Sequence, residues 1–225
     1  MLKGVISLKK LWTVVIMLLF FVMLPLQSLG AQAAAAPKIS VKSYKTEQIQ
    51  YAVIHGDKYK AVNAKMYQQA KEAYATQKDL DKQLKEDQEN GYIPDGIDYV
   101  IALTPMVKYK TSTKISILTQ TYIYNGGAHG NSYYESYNVY KGKQLSLKGA
   151  FKSEVAYLQA KQYAKAKMLA HPEKYPFADK RTTIAGHPYY WVASGGIKVT
   201  FDPYEVAPYA AGMMTVSIPA KYMMK

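Results

Sequence analysis

Apolar and polar residues alternate from Lys38 to Thr46, with Ile39, Val41 and Ser43 interleaved with Ser40, Lys42 and Tyr44. That period of two predicts a strand. Ile49–His55 predicts a second one, closed by Gly56-Asp57. The period then changes. Val62, Met66, Ala70, Ala73, Gln77, Leu80 and Leu84 recur every three or four positions, which predicts one amphipathic helix from Lys58 to about Glu89. Its other face is Lys, Gln, Asp and Glu, and Asn90-Gly91 supplies a stop. Ile93-Pro94-Asp95-Gly96 reads as a turn.

Three strand-like runs follow at Asp98–Lys110, Lys114–Tyr124 and Ser132–Lys141. The middle run is apolar on both faces, which predicts a strand central in its sheet. Between it and the next lies Asn125-Gly126-Gly127-Ala128-His129-Gly130-Asn131, whose glycines mark a hairpin-type connection that needs positive φ. A second helix is predicted over Phe151–Leu169, because Phe151, Val155, Leu158, Gln162, Ala166 and Leu169 keep helical spacing, and Pro172 ends it. Strands are predicted near His187–Val192, Gly196–Phe201 and Met214–Ile218. Strands and helices without regular β-α alternation predict an α+β fold with antiparallel sheet and two long helices. The expected organisation is two structurally coupled lobes sharing a sheet, residues 38–141 and 142–225.

The first residues read as an address. Lys3, Lys9 and Lys10 precede an apolar run from Leu11 to Leu26, and Ala31-Gln32-Ala33 follows as a small-residue cleavage site. That order predicts a secretory signal peptide over residues 1–33 and an unstructured lead-in over 34–37. The expected location is extracellular or wall-associated, with membrane contact only through an uncleaved signal segment.

Composition narrows the chemistry. Cysteine is absent from the 225 residues, which removes disulfide scaffolds, thiolate metal sites and cysteine nucleophiles. The chain has Lys+Arg 29 against Asp+Glu 16, and Arg181 is the sole arginine. Guanine and phosphate recognition favours arginine forks over lysine point charges, so nucleic acid is not an expected partner. Charge is uneven along the chain. Residues 34–98 are neutral, whereas 99–172 carry ten lysines against Glu135 and Glu154. Tyrosines run beside those lysines, a pairing that suits anionic polymers and sugars stacked on aromatic rings. It also simply keeps an exported protein soluble.

Two long motifs carry a family resemblance. Tyr122-Ile123-Tyr124-Asn125-Gly126-Gly127-Ala128-His129-Gly130 resembles Y-x-Y-T-G-G-A-H-G. Phe201-Asp202-Pro203-Tyr204-Glu205-Val206-Ala207-Pro208-Tyr209-Ala210-Ala211-Gly212 resembles F-x-x-Y-E-I/V-A-P-Y-A-x-G, and Gly142-Lys143-Gln144-Leu145-Ser146-Leu147 resembles the G-K-x-L-x-L segment between them. The family is a bacterial extracytoplasmic domain shared by the lysozyme-sensing region of the anti-sigma-V factor and the N-terminal non-catalytic region of a peptidoglycan deacetylase. Asn125 replaces the usual threonine, and Lys148-Gly149-Ala150-Phe151 replaces an acidic approach to the second helix. The resemblance implies an α+β fold exposed to the cell wall. No sigma-binding segment precedes the apolar run, so that transducer role is not expected. Lysozyme itself is disfavoured, because basic animal lysozymes would meet a basic chain with like-charge repulsion.

His129 and Glu205 are the titratable residues in distinctive surroundings. Either they pair as acid and base, or they are polar anchors in a cleft lined by Tyr124, Tyr204 and Tyr209, or they hold the fold while Gly126, Gly127 and Gly130 permit the turn. His129, His187 and Glu205 are the one conceivable metal set, and neither metal nor cofactor is expected. No nucleophile elbow, phosphate loop or H-E-x-x-H is present. An exposed Trp191 in Tyr189-Tyr190-Trp191 would favour carbohydrate. The expectation is a secreted, non-enzymatic binding module for wall glycan or anionic wall polymer, using Lys141, Lys143, Lys161, Lys165 and exposed tyrosines. The alternative is a protein-binding module that captures or inhibits a lysozyme-like wall hydrolase.

Overall fold

The computed structural model describes residues 35–224; the export signal expected over 1–33 lies outside them. β1 (Ile39–Tyr44) and β2 (Thr46–Ile54) form an antiparallel hairpin that turns at Lys45, φ 63°. α1 (Lys60–Glu89) then crosses over to β3 (Val100–Lys110), which pairs with β2 in parallel. β3, β4 (Lys114–Tyr124) and β5 (Asn131–Tyr140) make an antiparallel meander, and two-residue β6 (Lys143–Gln144) completes a six-stranded sheet in chain order. The exception to an antiparallel sheet is β2–β3. A helix thirty residues long carries the chain back to the end where β2 began, so parallel pairing follows from the crossover.

α1 lies on one face of this sheet by the stripe read from the sequence. Val62 and Met66 pack with Ile54, Ile115, Ile117 and Val139, and Ala70, Ala73 and Leu80 pack with Ile49, Ile101 and Leu103. Two amides in the interface have specific work. Asn63 Oδ1 accepts the Ile54 N–H at 3.0 Å and its Nδ2 donates to the Ile54 carbonyl at 2.8 Å. Gln77 donates to the Tyr99 carbonyl at 3.0 Å and accepts the Ile101 N–H at 2.9 Å. Backbone groups left open where β2 and β3 diverge are thereby satisfied from the helix.

The second half forms its own sheet. α2 (Glu154–Leu169) is followed by β7 (Tyr189–Trp191), β8 (Ile197–Phe201) and β9 (Met214–Ile218), an antiparallel three-stranded sheet. The expectation of lobes sharing one sheet is corrected: the two sheets stack, with β7 across β4 and β5. Buried polar side chains join them. Ser116 Oγ donates to Asn138 Oδ1 at 2.5 Å and accepts the Trp191 N–H at 2.9 Å. Asn138 Nδ2 donates to the Tyr189 carbonyl at 2.7 Å, and Ser136 Oγ accepts the Tyr189 N–H at 3.0 Å. β4 is central, as its two apolar faces predict: Ile115 and Ile117 meet α1, while Ser116 faces β7. The fold is α+β.

α2 corrects a second expectation. It begins at Glu154, capped by Ser153, whose Oγ accepts the Ala156 N–H at 3.1 Å. Phe151 lies before the helix, in a bridge to Met223. The buried face is Ala156, Ala160, Ala164 and Met168, not the Val155–Leu158–Leu169 stripe. Alanines every fourth residue let the helix axis approach the sheet closely, and Ile197, Val199, Val216 and Ile218 supply the bulk from the other side. No helix among the described residues is long and apolar enough to cross a membrane.

Candidate functional site

The glycine loop between β4 and β5 is shaped by two close approaches. Gly126 sits at φ 90°, and a Cβ there would come within 2.8 Å of Ile93 Cδ1 and 2.9 Å of the Tyr99 ring. A Cβ on Gly130 would overlap the Tyr122 ring and the Ile123 carbonyl. Gly127 meets nothing closer than 3.7 Å. Bare backbone at Gly126 and Gly130 lets the loop lie against Ile93, Tyr99 and β4, with His129 exposed.

The second signature is fixed by its backbone. Tyr204 N–H donates to the Ala207 carbonyl at 3.0 Å, Phe177 N–H to the Val206 carbonyl at 3.1 Å, and Val206 and Ala207 are buried. Glu205 Oε2 accepts the Asp202 N–H at 2.6 Å. Asp202 Oδ1 accepts the Tyr134 N–H of β5 at 2.9 Å, pinning the loop to the first sheet. In this frame Tyr204 adopts φ 71°, a left-handed value that costs a non-glycine residue about 1–2 kcal/mol.

The strained tyrosine meets the glycine loop. His129 Nδ1 lies 2.9 Å from the Gly130 carbonyl, which only accepts, so Nδ1 carries the proton. In the neutral ring Nε2 is then the acceptor for the Tyr204 hydroxyl, 3.2 Å away. Tyr209 stacks on the imidazole at 3.8 Å between centroids and 14° between planes. Tyr204 and Tyr209 stand 6.0 Å apart. The three rings form an open aromatic platform in which Tyr204 is 52% exposed.

The other expected site residues go elsewhere. Glu205 does not reach His129; its Oε2 is 3.6 Å from His187 Nδ1. An acid–base pair of His129 and Glu205 is therefore not assembled: His129 meets Tyr204 and Tyr209, and Glu205 meets the Asp202 N–H and His187. Tyr124 ends β4 opposite Val100, apart from the platform. His129, His187 and Glu205 do not gather, and no group of three or more His, Cys, Asp or Glu that could hold a metal exists among the described residues. Trp191 is 1% exposed, so it is core. Lys114 Nζ lies 4.5 Å from its ring centroid. Lys141 (φ 48°) and Lys143 stand at the β5–β6 turn. Lys161 and Lys165 line a separate groove along α2.

A groove of about 970 Å³ runs beside β5 and the start of the second signature. Tyr134, Tyr137, His187, Asp202 and Glu205 line it. Burial raises the Asp202 carboxyl above its ordinary range, opposed by the Tyr134 N–H; burial also raises the Tyr134 hydroxyl, and the charge of Asp202 adds to it. Tyr134 and Asp202 are not in the sequence-derived set. Asp202 lies inside the quoted signature, but the strand it ties is 68 residues away, and nothing local marks that bond.

The fold is α+β with two sheets, and the glycine loop meets the second signature through His129, Tyr204 and Tyr209. Within it, residues 40–132 match the family model described as "Deacetylase PdaC", and residues 148–221 match "Protein of unknown function (DUF3298)". The two matches lie in tandem, with the glycine loop in the first and the Tyr204–Gly212 signature in the second. The resemblance carried by the motifs holds. Among solved structures, a DUF3298 family member from Bacteroides fragilis NCTC 9343 is 17% identical over 85% of this chain and 96% of that one, TM-score 0.54, and shares the fold. A DUF3298 family protein from Pseudomonas aeruginosa PAO1 is 19% identical over 84% and 91%, TM-score 0.48. Comparison with curated proteins returned no match.

Proposed function

We propose that this chain is exported and acts as a non-enzymatic binding module at the bacterial cell envelope, with wall glycan as its ligand. The supporting observation is the exposed platform of His129, Tyr204 and Tyr209, built jointly by the two signatures and held by a strained backbone. Strain at an exposed ring makes sense where the ring has a task that packing does not explain. Flat rings with a polar rim fit the apolar face of a pyranose while hydroxyls hydrogen-bond at the edge. The lysine excess of residues 99–172 adds attraction for anionic polymers attached to such a glycan.

The test is sedimentation with purified peptidoglycan, stripped or not of its anionic polymer, using the protein and its Tyr204→Gly variant. Glycine relieves the left-handed backbone, so the melting temperature is expected to hold or rise. Retention is expected to fall roughly threefold to tenfold with the lost ring. Absence of retention of the unaltered protein at low salt overturns the reading. Equal retention of the variant removes the platform from it.

A further inference from the structure

Among the described residues, the apolar stripe of α2 has no partner. The helix buries its alanine face, leaving Val155 63%, Leu158 49% and Leu169 45% exposed. Beside the stripe, between α2 and the segment 180–185, runs a groove of about 730 Å³. Its apolar lining comes from Leu158, Ala166, Leu169 and Ala185. Lys161 and Lys165 line it from the helix, and Lys180 and Arg181 from the opposite bank. No carboxylate lines it. Lys165 Nζ donates to the Lys180 carbonyl at 2.8 Å, tying the banks together. Arg181 is engaged by Asp179 at 2.8 Å, so the lysines carry the uncompensated charge.

We propose that this groove docks an acidic amphipathic segment of a partner protein. The segment is a helix of about three turns, with leucine-type side chains toward Leu158 and Leu169 and carboxylates toward the two lysine banks. The length follows from the groove, since Leu158 to Leu169 spans about 16 Å of helix. Both halves of the lining are then used. A purely anionic polymer would engage the lysines and leave the leucines against water. A flat anionic bilayer presents no segment that enters a groove walled on its second side. The recognition is the helix-in-groove mode, with charge fixing orientation. It does not rest on the glycan platform of His129, Tyr204 and Tyr209, and its readout, a peptide titration, is separate from retention on the wall.

The experiment measures fluorescence anisotropy of a labelled peptide carrying Leu at positions three and four apart flanked by Glu, titrated with the purified protein. Saturable binding is expected, weakening with salt and falling about tenfold or more in K161E/K165E. A peptide with Lys in place of Glu is expected to bind that double variant and not the parent. Leu158→Ser, at a half-exposed position, is expected to weaken the original peptide while leaving the thermal melt unchanged. Failure of the peptide to bind, or indifference to both K161E/K165E and Leu158→Ser, overturns the proposal. So does equal binding of polyglycerol phosphate, or binding confined to phosphatidylglycerol vesicles.

Discussion

Asp202 joins the second signature to β5 by accepting the Tyr134 N–H, and it does so half buried. Burial raises its pKa, the Tyr134 N–H and His187 lower it, and the charge of Glu205 raises it further; the net direction is up. A carboxyl raised in the folded state favours folding while protonated, and that contribution is lost as pH rises through its folded value. Asp202→Asn keeps an oxygen for the Tyr134 N–H and abolishes the ionisation. We expect it to melt higher than the parent at neutral pH, with the difference vanishing below about pH 4, the ordinary carboxylate range. Melts recorded across that interval check it. At this scale the motifs were legible as special: His129, Tyr204 and Tyr209 were all singled out, and they meet. Of the readings open for Glu205, pairing with His129 fails and holding the second loop stands, since its Oε2 accepts the Asp202 N–H. A motif reports that a residue is constrained, whereas its direction depends on the path of a distant loop.

Between elements, the join is polar. Ser116, Ser136 and Asn138 present hydroxyls and an amide to the backbone of β7, and Ser116 and Asn138 are wholly buried. Asn138→Ala leaves the Tyr189 carbonyl and the Ser116 hydroxyl short of partners, an expected loss of about 2–4 kcal/mol in chemical denaturation. Because the two side chains share one network, Ser116→Ala and Asn138→Ala are expected to be non-additive by about 1 kcal/mol. Strictly additive losses would show that the two side chains act independently and not as one network. The periodicities of α1 and β4 predicted both their spans and their packing. That of α2 predicted a helix and the wrong face. Alanine scores weakly in any hydrophobic pattern, yet it is the residue that permits the closest approach, so the larger side chains faced outward.

For the whole molecule, residues from Ala35 onward cluster as one compact unit. The face of β4 and β5 that carries Ser116 and Asn138 is covered only when β7 arrives. A fragment ending after β6 is therefore expected to melt without a cooperative transition and to lack a near-ultraviolet circular dichroism signature. A sharp transition in that fragment would show that the first sheet and α1 suffice. What the sequence determined by itself was the run of strands and helices, the α+β class, the two constrained loops and the uneven charge, because each is written in residues that are neighbours along the chain. Tertiary structure alone decided that β2 and β3 pair in parallel, that β7–β9 form a second sheet, which face of α2 is buried, and that His129 stacks on Tyr209 while Glu205 turns to His187. Those outcomes depend on which distant surfaces fill one another's space and satisfy one another's hydrogen bonds, and no local period encodes such a choice.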